Sequence, residues 1–316
     1  MSPTPSLDII IVNWNTGDRL RGCLESIVEA DKSGLALGRI AVVDNNSSDA
    51  SLDNLPRTDP TLVLIHNPEN RGFAVACNQG AERSVSDYLL FLNPDTSLYR
   101  NSLTRPIRFM EQPSSASIGI CGIRLVDERG NPVVSCARFP TLKILAGEVS
   151  GLSRLAPKIF STHLMTTAEC EQSREVDQVI GAFFLVRRQL FKLNGGFDER
   201  FFMYFEEVDF SLRARQKGYL SYYLADALLH HSGGGSSEKV KDKRLFYSLR
   251  SRIQYGFKNF SFSAAVGLLI LTLTIELVAR LLGAALLISK STFGETVSGY
   301  GQLIGYLLGR DWKCRS

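Results

Sequence analysis

The first hundred residues alternate short apolar runs with segments of helical periodicity. Runs rich in Ile, Val and Leu predict β-strands over residues 7–14, 39–44, 61–66 and 88–93. Between these runs apolar residues recur at helical spacing, which predicts helices over residues 18–30 and 73–83 and a shorter one over residues 47–55. Strand–helix alternation is typical of a parallel sheet with helices on its faces. We therefore expect an α/β fold.

Beyond residue 117 the pattern is less regular. Further apolar runs predict strands over residues 117–126, 179–187 and 219–224, and residues 205–217 predict a helix that Gly218 ends. Residues 137–176 lack a clear period, which leaves open an insertion near a binding site or a solvated loop region. We expect one domain over residues 1–236 and a distinct tail over residues 237–316.

The tail combines a basic stretch with apolar runs. Residues 264–275 and 281–288 are apolar, and Glu276 and Arg280 lie between them. One helix over both runs is long enough to span a membrane, but its two charges would then lie near mid-bilayer, where charges are costly. We therefore expect an interfacial amphipathic helix or a re-entrant pair, with packing against the globular domain as the alternative. The basic residues that precede it suit an anionic membrane surface: Lys239, Lys241, Lys243, Arg244, Arg250, Arg252 and Lys258.

Composition excludes several classes of protein. A charged fraction of 22% and a hydrophobic fraction of 44% describe a folded chain, and a net charge of +4 is too small to favour nucleic-acid binding. The 6 cysteines form no CxxC pair, which favours free thiols in a reducing cytosol over a zinc site or a disulfide framework. Residues 2–6 are polar and the apolar run 9–12 is short, so we expect no signal peptide.

Polar residues follow the predicted strands at the ends where ligands bind in open α/β sheets. Asp95, just past the fourth strand, is suited to hold a divalent cation that in turn holds a diphosphate, although Asn-Pro-Asp is also an ordinary turn. Trp14 offers a stacking surface for a base, and Asp44 can accept a hydrogen bond from a base imide or a ribose hydroxyl. No GxGxxG motif follows the first strand, which argues against a dinucleotide-binding dehydrogenase.

The run Asn70-Arg71-Gly72-Phe73 leads into the second predicted helix. Gly72 would let backbone approach a ligand closely, Arg71 would contact phosphate, and the helix N-terminus would favour an anion. A turn before a helix explains the same residues equally well on local grounds.

Two later clusters carry titratable groups. Glu206, Glu207 and Asp209 follow an aromatic run, and since helix capping accounts for one carboxylate only, we expect another to act as a base. His230 and His231 precede a glycine-rich segment, and a metal or phosphate ligand and a structural role are equally compatible with this context.

In order and spacing these motifs resemble family 2 glycosyltransferases, most of all the rhamnosyltransferase-type branch that builds bacterial surface polysaccharides. The resemblance covers residues 7–235. Its motifs are Val12-Asn13-Trp14-Asn15, Asp44-Asn45-Asn46-Ser47-Ser48-Asp49, Asn70-Arg71-Gly72-Phe73, Asn93-Pro94-Asp95, Gly195-Gly196-Phe197-Asp198, Glu206-Glu207-Val208-Asp209 and His230-His231.

The resemblance implies a GT-A fold, Rossmann-like with a mostly parallel central sheet, and an inverting transfer from a nucleoside-diphosphate sugar. Residues 1–100 would bind the nucleotide and residues 101–236 the acceptor. Asp95 would bind Mg²⁺ or Mn²⁺, completed by His230 or His231, with Asn93 in place of the first Asp of the DxD motif. The implied donor-binding residues are Asn13, Trp14, Asn15, Asp44, Asn46, Arg71, Gly72, Phe73, Asn78 and Asn93.

The resemblance also implies the base. Glu207 stands where the family usually has the Asp of its Glu-Asp pair, the presumed general base. The longer side chain leaves Asp209 as the alternative, with Glu206 beside both.

The implied partners are a dTDP- or UDP-sugar, rhamnose being one candidate sugar, and a lipid-linked or growing bacterial surface glycan. The implied location is the cytoplasmic face of the inner membrane, as a peripheral protein, or the cytoplasm, and the tail is suited to a membrane contact or to a homodimer. Two alternatives are a catalytically silent scaffold in a polysaccharide assembly complex and a sugar nucleotidyltransferase. The carboxylates at residues 95, 206, 207 and 209 count against the first, and residues 7–17 lack the glycine-rich signature of the second.

Overall fold

The computed structural model describes residues 4–56, 58, 62–233, 240–286 and 288–309. The chain divides into two compact units. The first comprises Met1–Phe139, Leu164–Phe202 and Glu206–Ser236, and the second comprises Pro140–His163, Met203–Phe205 and Ser237–Ser316. In this division residues 140–163 and 203–205 are grouped with residues 237–316.

The first unit contains the strands. In chain order they are β1 (Ser6–Asn13), β2 (Ala36–Asp44), β3 (Leu62–His66), β4 (Tyr88–Leu92), β5 (Thr96–Leu98), β6 (Ile118–Val126), β7 (Cys136–Ala137), β8 (Arg174–Val176), β9 (Gln178–Val179), β10 (Phe183–Arg187) and β11 (Leu220–His231).

Most strands join one mixed sheet of order β3-β2-β1-β4-β10-β6-β11-β5, with β8 on β11. Strands β1 to β4 pair in parallel, β6 and β11 are also parallel, and β10 runs antiparallel between β4 and β6. Strands β7 and β9 form a separate antiparallel pair. The expected α/β fold with a mostly parallel central sheet is confirmed.

Helices cover the sheet and form the second unit. They are α1 (Arg19–Glu29), α2 (Phe73–Ala81), α3 (Thr104–Met110), α4 (Leu142–Val149), α5 (Leu152–Leu155), α6 (Arg188–Leu193), α7 (Glu206–Gln216), α8 (Lys241–Asn259), α9 (Phe262–Leu271), α10 (Leu277–Leu286) and α11 (Lys290–Leu307). The helix predicted over residues 47–55 is only a 3₁₀ turn, Ala50–Leu52, and the region 137–176 that lacked a period contains α4 and α5.

Two apolar clusters lie on opposite faces of the sheet. Ile9 and Ile11 of β1 pack in one cluster with Leu24 of α1, whereas Ile10 packs in the other with Cys77 of α2. Alternate residues of a strand face opposite sides, and both sides are covered. The continuous apolar runs of β1 and β4 follow from this burial on both faces.

In the second unit, α9 and α10 are joined by the π-helical turn Thr272–Glu276 into one continuous helix, Phe262–Leu286. Within the described residues this is the one helix long and apolar enough to cross a membrane. Glu276 is only 5% exposed and accepts hydrogen bonds from Arg252 of α8 and from Arg280, 2.9 Å away. The two charges that interrupt the apolar sequence are therefore paired inside this unit.

Candidate active site

The carboxyl ends of the parallel strands form one edge of the sheet. Asn13 at the end of β1 is in register with Asp44 at the end of β2, and Ile11 is in register with Leu92 at the end of β4. The polar segments that follow these strands are thereby brought together. The sequence predicted this meeting, because parallel strands place corresponding ends side by side.

Asn13 and Asp44 brace the loop that follows β2. The buried amide of Asn13 donates to Asp44 Oδ1 at 2.8 Å and to Ser51 Oγ at 2.9 Å. Ser47 donates to Asp44 through its hydroxyl, at 2.6 Å, and through its backbone N–H, at 3.1 Å. Both carboxylate oxygens of Asp44 thus already accept hydrogen bonds, and recognition of a base by Asp44 remains a prediction.

The loops after β1 and β2 are also joined to each other. Asn15 donates its backbone N–H to Ser47 Oγ at 3.0 Å, and Asn15 Oδ1 accepts from the Ser48 N–H at 2.7 Å. Asn15 and Asn46 have positive φ values of 52° and 62°, a conformation that Asn tolerates better than most residues. Between these cross-linked loops, Trp14 stays half-buried, as a stacking surface requires.

A buried amide network at the same edge has no counterpart in the sequence-based prediction. Asn45 donates to Gly72 O at 3.1 Å and accepts from Asn67 at 2.9 Å, and Asn67 and Gln79 exchange two hydrogen bonds of 2.9 and 3.0 Å. Asn45 and Asn67 directly follow β2 and β3. Their matching positions after neighbouring strands are the signal in the sequence from which the network can be found.

Gly72 allows a close backbone approach, but the partner is Phe202. Its φ is 86°, and a side chain there would begin 2.5 Å from the Phe202 carbonyl oxygen. The same carbonyl accepts the Phe73 N–H at 2.7 Å. Phe202 therefore occupies this side of the glycine and the first amide of α2, and ligand binding by Gly72 and Phe73 remains a prediction. Arg71 is exposed beside them.

Asn78 holds a turn in place. Its Nδ2 donates to Phe197 O at 2.9 Å and to Glu199 Oε1 at 3.0 Å, and its Oδ1 accepts the Phe197 N–H at 2.9 Å. A Cβ on Gly196 would lie 2.6 Å from Asn78 Oδ1, so the glycine makes room for the amide. The amide of Asn78 is thus engaged by the Gly196–Glu199 turn, and donor binding by Asn78 remains a prediction.

Asp95 faces His231. Strands β5 and β11 pair antiparallel with Thr96 opposite His231, and His231 Nε2 lies 3.5 Å from Asp95 Oδ1. Burial raises the pKa of Asp95, but the hydrogen bond and charge of His231, together with the charge of Arg19, bring that pKa below its ordinary value. Successive strand residues face opposite sides, so His230 points away from Asp95. Of the two candidate histidines, His231 is the one that meets the carboxylate.

The Asp95–His231 pair fits part of a cation site. Within the described parts of the chain, no group of three or more His, Cys, Asp or Glu side chains is placed to hold a metal ion. A carboxylate oxygen and an imidazole nitrogen are nevertheless both ligands that Mn²⁺ accepts, and Mg²⁺ or Mn²⁺ in nucleotide sites commonly takes its other ligands from phosphates. The pair suits a cation that arrives with a diphosphate.

The three carboxyl groups of α7 have different environments. Asp209 is 0% exposed and accepts from Arg213 Nε at 2.7 Å, and Arg213 also donates to the carbonyls of Asn194 and Gly196. Glu206 is also buried, and no described residue donates to its Oε2. Burial and the neighbouring charge of Glu207 raise the pKa of Glu206 well above its ordinary value.

Glu207 lies beside the turn between β9 and β10. It is half-buried, and its carboxyl carbon is 3.9 Å from the position of a Cβ on Gly181. The next residue, Ala182, accepts the Asn93 N–H at 3.1 Å, so this turn borders the end of β4. Glu207 thus shares the edge with Asn93 and Asp95, whereas Asp209 is held in an internal ion pair.

Comparison with known proteins identifies the family. The family described as Glycosyl transferase family 2 matches residues 8–194, more than half of the chain. The chain belongs to this family. The match extends from β1 through α6 and includes the sheet edge with Asn13, Asp44 and Asp95.

Two curated relatives of this family 2 glycosyltransferase are rhamnosyltransferases. N-acetylglucosaminyl-diphospho-decaprenol L-rhamnosyltransferase of Mycobacterium tuberculosis is 29% identical over 72% of this chain and 76% of the relative. Rhamnosyltransferase WbbL of Escherichia coli is 28% identical over 78% of this chain and 91% of the relative. The resemblance to the rhamnosyltransferase branch is thereby confirmed.

A solved structure shares the fold. Mannosyltransferase PcManGT of Pyrobaculum calidifontis, in complex with GDP-Man and Mn²⁺, aligns with a TM-score of 0.55 at 16% identity, over 99% of this chain and 89% of that chain. The expected GT-A fold of the glycosyltransferase is confirmed by this likeness.

Proposed function

We propose that this glycosyltransferase moves a sugar, with rhamnose as the leading candidate, from a nucleoside-diphosphate sugar to a hydroxyl of a lipid-linked or growing bacterial surface glycan. The observation that carries the proposal is the sheet edge on which Asp95 faces His231 at 3.5 Å while Glu207 borders the same strand end. A cation-binding pair and a nearby carboxylate that can accept a proton are the two functions that such a transfer needs.

The relatives supply the class of substrate. One is named for a decaprenol-linked N-acetylglucosaminyl diphosphate and for L-rhamnose, and the other is named a rhamnosyltransferase. The solved relative binds a nucleoside-diphosphate sugar with Mn²⁺. By analogy we assign this chain a dTDP- or UDP-sugar donor, a lipid-linked acceptor and Mg²⁺ or Mn²⁺.

Asp95 and His231 would hold the cation, whose charge would stabilise the departing nucleoside diphosphate. Trp14 is assigned to the base of the donor, and Arg71, exposed at the same edge, to its phosphates. Asn13, Asn15 and Asp44 fix the loops that carry these contacts, through the hydrogen bonds they share with Ser47 and Ser48.

We assign the general base to Glu207. Its carboxylate would take the proton of the acceptor hydroxyl as that oxygen attacks the anomeric carbon. The bond from the anomeric carbon to the β-phosphate oxygen breaks on the opposite face, so a single displacement inverts the configuration. Asp209 does not fit this role because it is 0% exposed and paired with Arg213, and Glu206 does not fit because its raised pKa favours the neutral acid.

The second unit suits a membrane-bound acceptor. Exposed side chains of α9 and α10 include Phe262, Ile270, Val278 and Leu286, and α8 carries Lys241 and Arg244 at its exposed start. Apolar side chains beside cationic ones are typical of segments that lie at an anionic membrane surface. We therefore place the enzyme at the cytoplasmic face of the inner membrane. Lys239, also part of the expected basic stretch, falls outside the described residues.

The test is release of nucleoside diphosphate from dTDP-rhamnose, UDP-glucose, UDP-galactose and UDP-GlcNAc, with Mn²⁺ or with EDTA. We expect release from one donor, loss of release in EDTA, and a fall of at least about 100-fold in Asp95→Ala and Glu207→Gln. Glu25→Gln, an exposed carboxylate on α1, is the matched control and should keep wild-type activity.

Calorimetry of donor binding separates the remaining outcomes. A protein that binds a donor but releases nothing, even with vesicles and a polyprenyl-diphosphate acceptor present, would be a scaffold and not an enzyme. A protein that binds no nucleotide sugar would overturn the proposed function.

A further inference from the structure

Helix α1 runs beside the segment that follows β4, and its register brings the helix N-terminus to Asp95. Three sets of contacts fix this register: the Asp31 N–H to Arg100 O at 2.9 Å, the Leu98 N–H to Ser26 Oγ at 3.0 Å, and Cys23 Sγ to Asn93 O and Thr96 Oγ1, both at 3.7 Å. Residues nearer the start of α1 contact residues nearer the Asp95 turn. The first turn of α1 is therefore the part of the helix nearest to that turn.

Arg19 begins this first turn. It is four residues before Cys23, so the two side chains leave the same face of the helix, and Cys23 touches the segment that contains Asp95. The positive charge of Arg19 is one of the influences that lower the pKa of Asp95, as this placement requires. Arg19 thus brings a cation to the strand-end edge from the α1 side.

The guanidinium of Arg19 is available to a ligand. Arg19 is exposed, and its side chain makes no hydrogen bond or ion pair with any described residue. Arg21, two residues on, points about 200° around the helix and pairs with Asp18 at 2.8 Å. The same turn of helix therefore carries one arginine engaged by the protein and one directed to the candidate active site.

We propose that Arg19 binds the diphosphate of the sugar donor from the α1 side of the Asp95 turn. This inference rests on the proposed function, and it adds a binding residue to that site. A guanidinium presents several N–H donors in a planar fork that matches phosphate oxygens, and the start of a helix favours negative charge at the same point. Arg19 would approach the diphosphate from α1, while Asp95 and His231 approach it through the cation.

The experiment is calorimetric titration of the full chain in Mg²⁺ with dTDP, UDP and GDP, and with the matching monophosphate of the diphosphate that binds best. We expect Arg19→Ala to weaken diphosphate binding about tenfold while changing monophosphate binding by less than about threefold, since one charged contact to the second phosphate is lost. Arg19→Lys should recover part of the loss. Arg21→Ala is the matched control and should bind both nucleotides as wild type does.

The outcomes separate the inference from the proposed function. The role of Arg19 is overturned if the wild type binds diphosphate and Arg19→Ala binds it equally well. It is also overturned if Arg21→Ala weakens diphosphate binding as much as Arg19→Ala does. Either result leaves the proposed function intact. An equal loss for diphosphate and monophosphate indicates a structural role and also overturns it. A wild-type protein that binds none of the three diphosphates refutes the proposed function, and the inference with it.

Discussion

Glu206 and Glu207 begin α7 side by side, yet one is buried and the other half-buried. The carboxyl group of Glu206 lies where burial and the charge of Glu207 favour its neutral form. When two neighbouring carboxyl groups have different environments, one can stay protonated while the other stays ionised and acts as a base. This difference supports the proposal that Glu207, and not Glu206, receives the proton of the acceptor hydroxyl.

The raised pKa of Glu206 makes stability depend on pH. The pKa of Glu206 is higher in the folded protein than in the unfolded chain. Its contribution to the free energy of unfolding is therefore most favourable below about pH 4.3, the pKa of Glu in the unfolded chain, and is lost as the pH rises toward the pKa of the folded protein. We expect Glu206→Gln to be more stable than wild type at pH 8, by roughly 1–2 kcal/mol, and nearly equal at pH 4. Urea unfolding across this range measures the difference. The same difference at every pH would contradict the assignment.

We propose that Asp209 has a structural role and not a catalytic one. Replacing it by Asn removes the charge partner of Arg213, which anchors the Asn194 and Gly196 carbonyls to α7. We expect Asp209→Asn to lower the free energy of unfolding by about 3 kcal/mol, since it leaves a half-buried cation without its counter-charge. Glu207→Gln should change that free energy by less than about 1 kcal/mol and remove activity. Unfolding curves and turnover are measured on both variants. A large loss of stability in Glu207→Gln, or a loss of activity without loss of stability in Asp209→Asn, would refute these assignments.

At the scale of elements, the start of α2 depends on one glycine. Gly72 has a positive φ, and any side chain there would meet the Phe202 carbonyl oxygen. That carbonyl accepts the first N–H of the helix, so the glycine joins α2 to the segment just before α7. The contact couples two elements that are far apart in sequence but share the sheet edge.

We expect Gly72→Ala to destabilise the fold by about 3 kcal/mol, because it combines a clash at 2.5 Å with an unfavourable φ. Gly17→Ala is the matched control, since Gly17 has a φ of 57° but nothing within 4 Å of its added Cβ. The control isolates the cost of the backbone conformation, about 1 kcal/mol. Thermal or urea unfolding of both variants provides the comparison, and equal losses would exclude the contact with Phe202 as the cause.

The elements also show what a sequence pattern can and cannot predict. The runs that became β1 and β4 are apolar because both faces of the sheet are covered there. The meeting of the strand ends follows from the alternation of strands and helices in the sequence. Strand β11 was predicted only as far as residue 224, but it continues to His231 past an irregularity between Leu224 and Leu228. Polar Asp226, which binds Arg105, interrupts the apolar run without ending the strand.

Partners distant in sequence account for the rest of the candidate site. Asn78 is committed to residues about 120 positions away, and Gly72 to Phe202. Local patterns carry no information on such pairings, and the same residues are equally compatible with ligand binding. The pairing of His231 rather than His230 with Asp95 depends on strand register, which becomes known only once β5 lies beside β11.

At the scale of the whole molecule, the distribution of charged and apolar side chains in the second unit bears on membrane binding. The continuous helix Phe262–Leu286 has its charged residues paired internally, since Arg252 and Arg280 both bind Glu276. Its exposed side chains are then largely apolar, and the exposed cations Lys241 and Arg244 lie at the start of α8. This distribution suits adsorption to an anionic surface, with the apolar side chains entering the headgroup region.

Vesicle flotation tests the membrane contact. We expect the protein to float with vesicles that contain phosphatidylglycerol and much less with pure phosphatidylcholine vesicles. The double variant Lys241→Gln/Arg244→Gln should bind the anionic vesicles about 30-fold less tightly, since each of the two surface cations contributes roughly 1 kcal/mol. A control double variant in the first unit, Lys192→Gln/Arg129→Gln, should bind as wild type does. Equal binding to neutral and anionic vesicles would exclude the basic contact.

The short strand β5 preorganises the candidate active site before a substrate binds. Its backbone bonds to Ser26 of α1 on one side and pairs with β11 on the other, so the turn that carries Asp95 is fastened at both flanks. A turn fixed in this way has little conformational entropy left to lose when a donor binds. Most of the interaction energy with a diphosphate is then available for affinity, and the on-rate should be limited by diffusion of the donor instead of by loop closure.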